Sequence, residues 1–174
     1  MEYTNEIAWK IIELYYKEDY LSRLVRHHIE SYNIFIEYQM QKTIEMFNPV
    51  KVEGIYDDVL KKNLLEINLI FSNLKVYRPE IYDKNGSKKL MFPNESRLRN
   101  MTYTSQLKID LTVIYKLKKK NEIIERKFKD INIGKIPIML KSNLDLLKQY
   151  NNLLNDELNE CRYDPGGYFI INGS

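Results

Sequence analysis

Two arginines, Arg97 and Arg99, lie in a polar stretch beside Asn100, Tyr103 and Thr104, and they are the residues best suited to binding an anion. A guanidinium offers paired N–H donors to a phosphate, and phosphate contacts fix register without reading base sequence. The same fork binds a carboxylate inside a fold equally well, so residue type alone leaves both roles open. The other candidates are weaker. His27 and His28 are adjacent on a helix, where neighbours point about 100° apart and cannot grip one metal as an i, i+4 pair does. They read as one partly buried and one solvated imidazole. Asp57-Asp58 and Asp156-Glu157 are carboxylate pairs of the type that holds magnesium, but their polar surroundings read as solvated helix ends. Cys161, the single cysteine, has no histidine near it in sequence, so nothing marks a nucleophile. Gly166-Gly167 lacks the Lys-Ser/Thr and the helix that would make a phosphate loop. Lys118-Lys119-Lys120 reads as a basic tip protecting a strand end. The residues predict no catalytic group, no metal site and no cofactor bound by this chain.

These side chains need elements to position them. Ile7, Ile11, Ile12 and Tyr15 recur at helical spacing, with Trp9 on a neighbouring face. After a break at 18–22, Val25, Ile29, Tyr32, Ile36, Met40 and Phe47 define one stripe of a longer helix that Pro49 ends. From about residue 64 the period becomes two. Leu65, Ile67, Leu69 and Phe71 alternate with polar residues, and a second extended run covers 74–78. Asp83-Lys84-Asn85-Gly86 is a turn signal, and residues 94–99 fit one helical turn. The clearest strand is 106–118, with Leu107, Ile109, Leu111, Val113, Tyr115 and Leu117 on one face and Lys108, Asp110, Thr112, Lys116 and Lys118 on the other. Residues 119–121 are the expected hairpin tip and 123–133 the return strand, with Gly134 and Pro137 in the next loop. A polar helix over 144–158, a tight turn at Asp164-Pro165-Gly166-Gly167 and a short buried strand over 168–171 complete the chain. The expected fold class is α+β, with helices over 1–48 and a mainly antiparallel sheet with helices over 64–174.

Composition bounds the rest. The 174 residues suffice for one domain or part of a larger one. Lys+Arg 27 against Asp+Glu 24 leaves +3, which permits nucleic-acid contact without arguing for it. One cysteine excludes an internal disulfide and fits a reduced intracellular compartment. The charged, aromatic first twenty residues are unlike a signal peptide. No run approaches the roughly 18 apolar residues of a membrane span. The richness in Asn, Lys, Ile and Tyr reads as an AT-rich genome. Asn172-Gly173-Ser174 comes directly after an apolar run, which suits either a short natural terminus or a piece of a longer chain.

Several segments, in order, resemble one family. They are Trp9-Lys10-Ile11-Ile12; Leu24-Val25-Arg26-His27-His28-Ile29-Glu30-Ser31-Tyr32-Asn33; and Tyr77-Arg78-Pro79. Then come Phe92-Pro93-Asn94-Glu95-Ser96-Arg97-Leu98-Arg99-Asn100-Met101-Thr102-Tyr103, Gly134-Lys135-Ile136-Pro137-Ile138-Met139-Leu140-Lys141-Ser142, and the block from Glu160-Cys161-Arg162-Tyr163-Asp164-Pro165-Gly166-Gly167 to Ser174. This series is similar to the second-largest, beta-type subunit of multisubunit DNA-directed RNA polymerases. The likeness is weaker at 48–63 and 116–132. The chain departs from many relatives at Asp145, where they have Cys, and at Arg162, where they have Pro. In the family, Asn-Gly-Ser is followed by an acidic residue, a basic residue and Val, and then by most of a very large subunit.

The resemblance implies the first part of the protrusion domain, on one wall of the DNA cleft, whose second part comes later in the chain. That fold would be incomplete alone, with a sheet edge or apolar face open. The implied reaction is DNA-templated nucleotidyl transfer, with magnesium held by the largest subunit and none by this segment. Implied partners are the largest subunit, the remainder of this subunit, DNA, the RNA–DNA hybrid and initiation factors, with no membrane. Arg97 and Arg99 are the first candidates for nucleic-acid contact. Alternatives are a stand-alone interaction module that binds initiation factors or other subunits, and a truncated or decayed form. The first reading is a subunit encoded in two pieces, or the leading piece of an interrupted gene, and an AT-rich, divergent form with a split subunit suggests a large DNA virus. The expected location is intracellular: nucleus, cytoplasm, virion or viral factory.

Overall fold

The computed structural model describes residues 5–17, 20–54, 56–57, 62–63, 65–117, 122–150, 158–161 and 163–174. Helix α1 spans Asn5–Lys17 and α2 Tyr20–Ile34; a π-helical turn, Phe35–Gln39, leads into α3, Met40–Phe47. Next come strands β1 (Val50–Glu53), β2 (Tyr56–Asp57), β3 (Lys62–Asn63), β4 (Leu65–Val76), β5 (Glu80–Tyr82) and β6 (Lys88–Leu90). Helix α4 (Pro93–Leu98), the long strands β7 (Thr104–Leu117) and β8 (Glu122–Pro137), and α5 (Leu146–Gln149) complete the described elements. The class is α+β. The chain divides into two compact units, one of Met1–Asn33, Met91–Tyr103 and Pro137–Ser174, the other of Ile34–Leu90 and Thr104–Ile136.

The second unit is built on a four-stranded sheet of order β1-β4-β7-β8. Antiparallel pairing sets Leu65 opposite Leu117, Leu69 opposite Val113 and Phe71 opposite Leu111, while Val50 lies opposite Leu69. Alternation on a pleated strand therefore collects the apolar residues on one face. Ile109 and Val113 are its buried members on β7. The two runs read as separate around 71–74 are one strand with a bulge between Ser72 and Lys75, where Asn73 has φ 51°. Two side-chain amides dock α3 and its end on β4. Gln41 Oε1 accepts the Leu74 N–H at 3.1 Å. Asn48 donates to the Phe71 carbonyl at 2.6 Å and accepts the Phe71 N–H at 2.9 Å, continuing the ladder with a side chain. Beside the bulge, Lys75 binds Asp130 at 2.9 Å, and Asp110 accepts the Asp130 N–H at 3.0 Å. Strands β5 and β6 form a hairpin around Gly86, as the Asn-Gly signal predicts.

The first unit encloses Tyr103, Met91, Ile138, Leu140, Leu146 and Ile170, all nearly inaccessible. Tyr32 packs edge-on against Phe169, with ring centroids 5.6 Å apart, and donates to the Pro137 carbonyl at 2.7 Å. Burial pushes its hydroxyl up to about 12.

Several expectations need correction. The helical stripe ends early: Tyr32 and Ile36 are buried, but Phe47 is 71% exposed. A π-helical turn inserts an extra residue and rotates the remainder of the helix by roughly 100°, a phase slip that a simple period misses. His27 and His28 are both exposed, their rings 4.0 Å apart, so neither is the partly buried imidazole expected. Asp57 lies in a strand rather than at a helix end. Gly134 and Pro137 belong to β8, not to a loop. Residues 168–171 form an isolated bridge, Met139 with Phe169, in place of a strand. Of the expected helix over 144–158, the described part is the short α5. Asp58, the Lys118-Lys119-Lys120 run with its hairpin tip, Asp156-Glu157 and Arg162 lie outside the described residues. No described helix is long and apolar enough to cross a membrane.

Candidate nucleic-acid interface

Pro93 opens α4, where a missing N–H and a preset φ suit the first helical position. Phe92, at the N-cap, offers no side-chain acceptor. Glu160 takes that role from the other end of the unit's sequence: its Oε1 accepts the Asn94 N–H at 2.7 Å, and its Oε2 receives Arg97 Nη1 at 2.9 Å. Arg97 Nη2 donates to the Tyr168 hydroxyl at 2.9 Å and lies 3.9 Å from Asp164 Oδ2. The Tyr168 hydroxyl in turn donates to Asp164 Oδ2, and Asp164 Oδ1 accepts the Gly166 N–H at 2.9 Å. Burial works against the Arg97 charge, but Glu160 and Tyr168 outweigh it and raise its pKa. Burial, with the Asp164 hydrogen bond next in size, pushes the Tyr168 hydroxyl up to about 12.

Arg99 is placed differently. It forms the C-cap of α4 and reaches back one turn to Glu95 at 2.7 Å. Its side chain is 41% exposed, against 30% for Arg97 and 7% for Glu160. Phe92, Asn94, Glu95, Leu98, Arg99 and Leu158 line a cleft of about 350 Å³ beside it. As the more exposed of the two guanidiniums, Arg99 is the better placed to exchange its carboxylate for another anion. The two arginines singled out from sequence thus have different surroundings: Arg97 is enclosed in a polar network, and Arg99 stands at the rim of a cleft.

The segment after α4 is zipped to the end of the chain. Gly173 N–H reaches the Met101 carbonyl at 3.0 Å, Asn172 N–H the Thr102 hydroxyl at 3.1 Å, and Tyr103 N–H the Ile170 carbonyl at 3.1 Å. Gly173 has φ +88°, and a Cβ there would meet Asn100 Cα at 2.8 Å, so the close approach needs glycine. Sequence reasoning missed Glu160 and Asp145 as organising groups. Glu160 was visible only as part of a motif block, and its pairing with Arg97 was one of the two roles left open for that arginine. Cys161 is exposed and free. Among the described residues, no three His, Cys, Asp or Glu side chains gather closely enough to hold a metal.

Comparison with known proteins adds what geometry cannot. The family described as RNA polymerase beta subunit matches residues 23–174. DNA-directed RNA polymerase II subunit 2 of Arabidopsis thaliana is 35% identical over 180 residues, covering 99% of this chain and 15% of the relative. DNA-directed RNA polymerase subunit Rpo2N of Methanothermobacter thermautotrophicus is 32% identical over 169 residues, covering 96% of this chain and 29% of the relative. Subunit Rpo2 of Saccharolobus solfataricus is 32% identical over 173 residues, covering 98% and 14%. The chain spans less than a third of the length of each of these relatives. With the family pattern matched from the second helix through Ser174, the chain belongs to the RNA polymerase beta subunit family.

Proposed function

We propose that this chain works within a DNA-directed RNA polymerase, as the N-terminal, non-catalytic part of the beta-type subunit. The observation that carries the reading is the match along nearly the whole chain to polymerase subunits of a plant and of archaea. In this reading the chain is the first part of the protrusion domain. It lines the DNA cleft, and nucleotidyl transfer uses magnesium held by the largest subunit. Its partners are the largest subunit, the remainder of the beta-type subunit, DNA with the RNA–DNA hybrid, and initiation factors. The edge strand β8, with Ile123, Ile124, Phe128 and Ile133 exposed, suits pairing with a further strand of the same subunit. Arg99 contacts the nucleic-acid backbone as a positioning cation, a role that needs charge and reach but no base recognition. The cellular location is that of the polymerase: nucleus, cytoplasm or viral factory.

The test is affinity purification of the chain, tagged at Met1, from its native cells, with mass spectrometry and a promoter-independent transcription assay of the material recovered. Recovery of the largest subunit with RNA synthesis supports the reading. Recovery of an initiation factor without polymerase subunits replaces it with a free interaction module.

A further inference from the structure

Two arginines stand two residues apart, yet the carboxylates that hold them differ: Arg97 pairs with Glu160, whose side chain is 7% exposed, and Arg99 with Glu95, at 21%. Glu160 sits almost wholly inside the first unit and binds both the start of α4, through Asn94 N–H, and Arg97. A buried carboxylate next to a guanidinium cancels its charge at short range, where screening by salt is weakest. The second acid near Arg97 is more distant and shared: Asp164 lies 3.9 Å away and also accepts from Tyr168 and Gly166. Removing the Glu160 charge therefore leaves Arg97 with the Tyr168 hydroxyl and only the longer, shared pairing with Asp164, two residues from Arg99.

We propose that Glu160 is an internal counter-ion that withholds Arg97 from nucleic acid, so that the α4 segment offers one phosphate contact, through Arg99, in place of two. This rests on the reading of Arg99 as a backbone contact. Glu160 is a positioning residue here: it touches no nucleic acid, and it sets the number of cations the segment presents. For a protein that must let its template slide, a limited number of phosphate contacts keeps binding reversible, because each one adds to the affinity and to its salt dependence.

The experiment measures binding of the full chain to a short DNA duplex by fluorescence anisotropy, from about 50 to 200 mM salt, with circular dichroism checking that each variant is folded. Each phosphate contact adds roughly 0.9 to the slope of log affinity against log salt. Arg99→Gln is expected to flatten the slope by about 0.9 and Arg97→Gln to leave it unchanged. Glu160→Gln keeps an acceptor for Asn94 N–H and loses the charge; it is expected to steepen the slope by about 0.9, and adding Arg97→Gln to it should cancel the gain. A flattening by Arg97→Gln equal to that of Arg99→Gln overturns the proposal, whether or not Glu160→Gln folds. So does a folded Glu160→Gln variant with an unchanged slope. If Arg99→Gln alone has no effect while Glu160→Gln steepens the slope, the counter-ion role stands and the Arg99 contact falls.

Discussion

The Tyr103 hydroxyl stands between two consecutive residues: it donates to Asp145 Oδ1 at 2.9 Å and accepts the Leu146 N–H at 3.3 Å, and all three side chains are fully buried. A hydroxyl so placed satisfies a carboxylate and the start of α5 together. Tyr103→Phe keeps the ring and removes both bonds. A hydrogen bond to a buried charged group is worth about 1.5–3 kcal/mol, so the variant is expected to lose about 2 kcal/mol in urea unfolding, with little change in the slope of the unfolding transition.

Asp145 imposes a pH dependence opposite to that of most carboxylates. Burial raises its pKa, and the Lys141 N–H, the Tyr103 hydroxyl and the Leu147 N–H only partly counter this. A folded-state pKa above the unfolded one means that the folded protein binds this proton more readily. The stability it contributes is fully present below the ordinary Asp value of 3.8 and is lost as pH rises through the folded value. Asp110 and Asp130 have lowered values and act in the other sense, so the comparison must be made against a variant. Asp145→Asn removes the effect. The stability of the native chain relative to Asp145→Asn should be greater in acid and decline toward neutrality, as read by urea unfolding across that range.

Gly167 and Gly86 make a matched pair for separating strain from contact. Their φ angles are +77° and +76°. A Cβ at Gly86 meets nothing within 4 Å, whereas at Gly167 it would stand 2.8 Å from Val25 Cβ on α2. Gly86→Ala should cost only the left-handed conformation, about 1–2 kcal/mol. Gly167→Ala should cost about 1–3 kcal/mol more, because helix and turn must separate. Thermal unfolding of the two variants measures the difference directly.

Asn48 is expected to be sensitive to chemistry rather than size. Asn48→Ala loses two hydrogen bonds to Phe71 and should cost about 1–2 kcal/mol. Asn48→Asp is nearly isosteric, yet at neutral pH it sets a carboxylate oxygen against the Phe71 carbonyl, and it should cost more than alanine. Protonation restores a donor, so the aspartate variant should recover toward the native stability as pH falls, while the alanine variant should not. Denaturation at neutral and at acid pH distinguishes the two.

The sheet was legible because its signal is local. Leu107 to Leu117 alternate strictly, and one strand face has to be buried. The same holds for the Asn85-Gly86 turn, whose chemistry sits in two residues. Features that depend on a distant partner or a change of phase escaped. The π turn at Phe35–Gln39 leaves no mark in composition, yet it turns Phe47 outward. The pairing of Arg97 with Glu160 joins residues 63 apart, and no spacing rule reaches that far. Asp145 stood out in sequence only as a departure from the family pattern. Its enclosure is made by Tyr103 and Leu146, and only the fold brings Tyr103 to it. The division of the two arginines into one half-buried and one more exposed group is a tertiary fact.

The zipper between the Met101–Tyr103 segment and the chain's last residues carries a consequence for the order in which the protein takes shape. The second unit closes once residue 136 has emerged, since it consists of residues 34–90 and 104–136. The first unit cannot close then: the carbonyl that receives the Tyr103 N–H belongs to Ile170, and the acid that restrains Arg97 is Glu160. At about 5–20 residues per second, the stretch from Pro137 onward takes a few seconds to synthesise. For that interval Tyr103, Met91 and the helix carrying Val25 exist without the partners that enclose them. Nascent chains halted before Ile170 should therefore expose the first unit to protease while the second is already resistant.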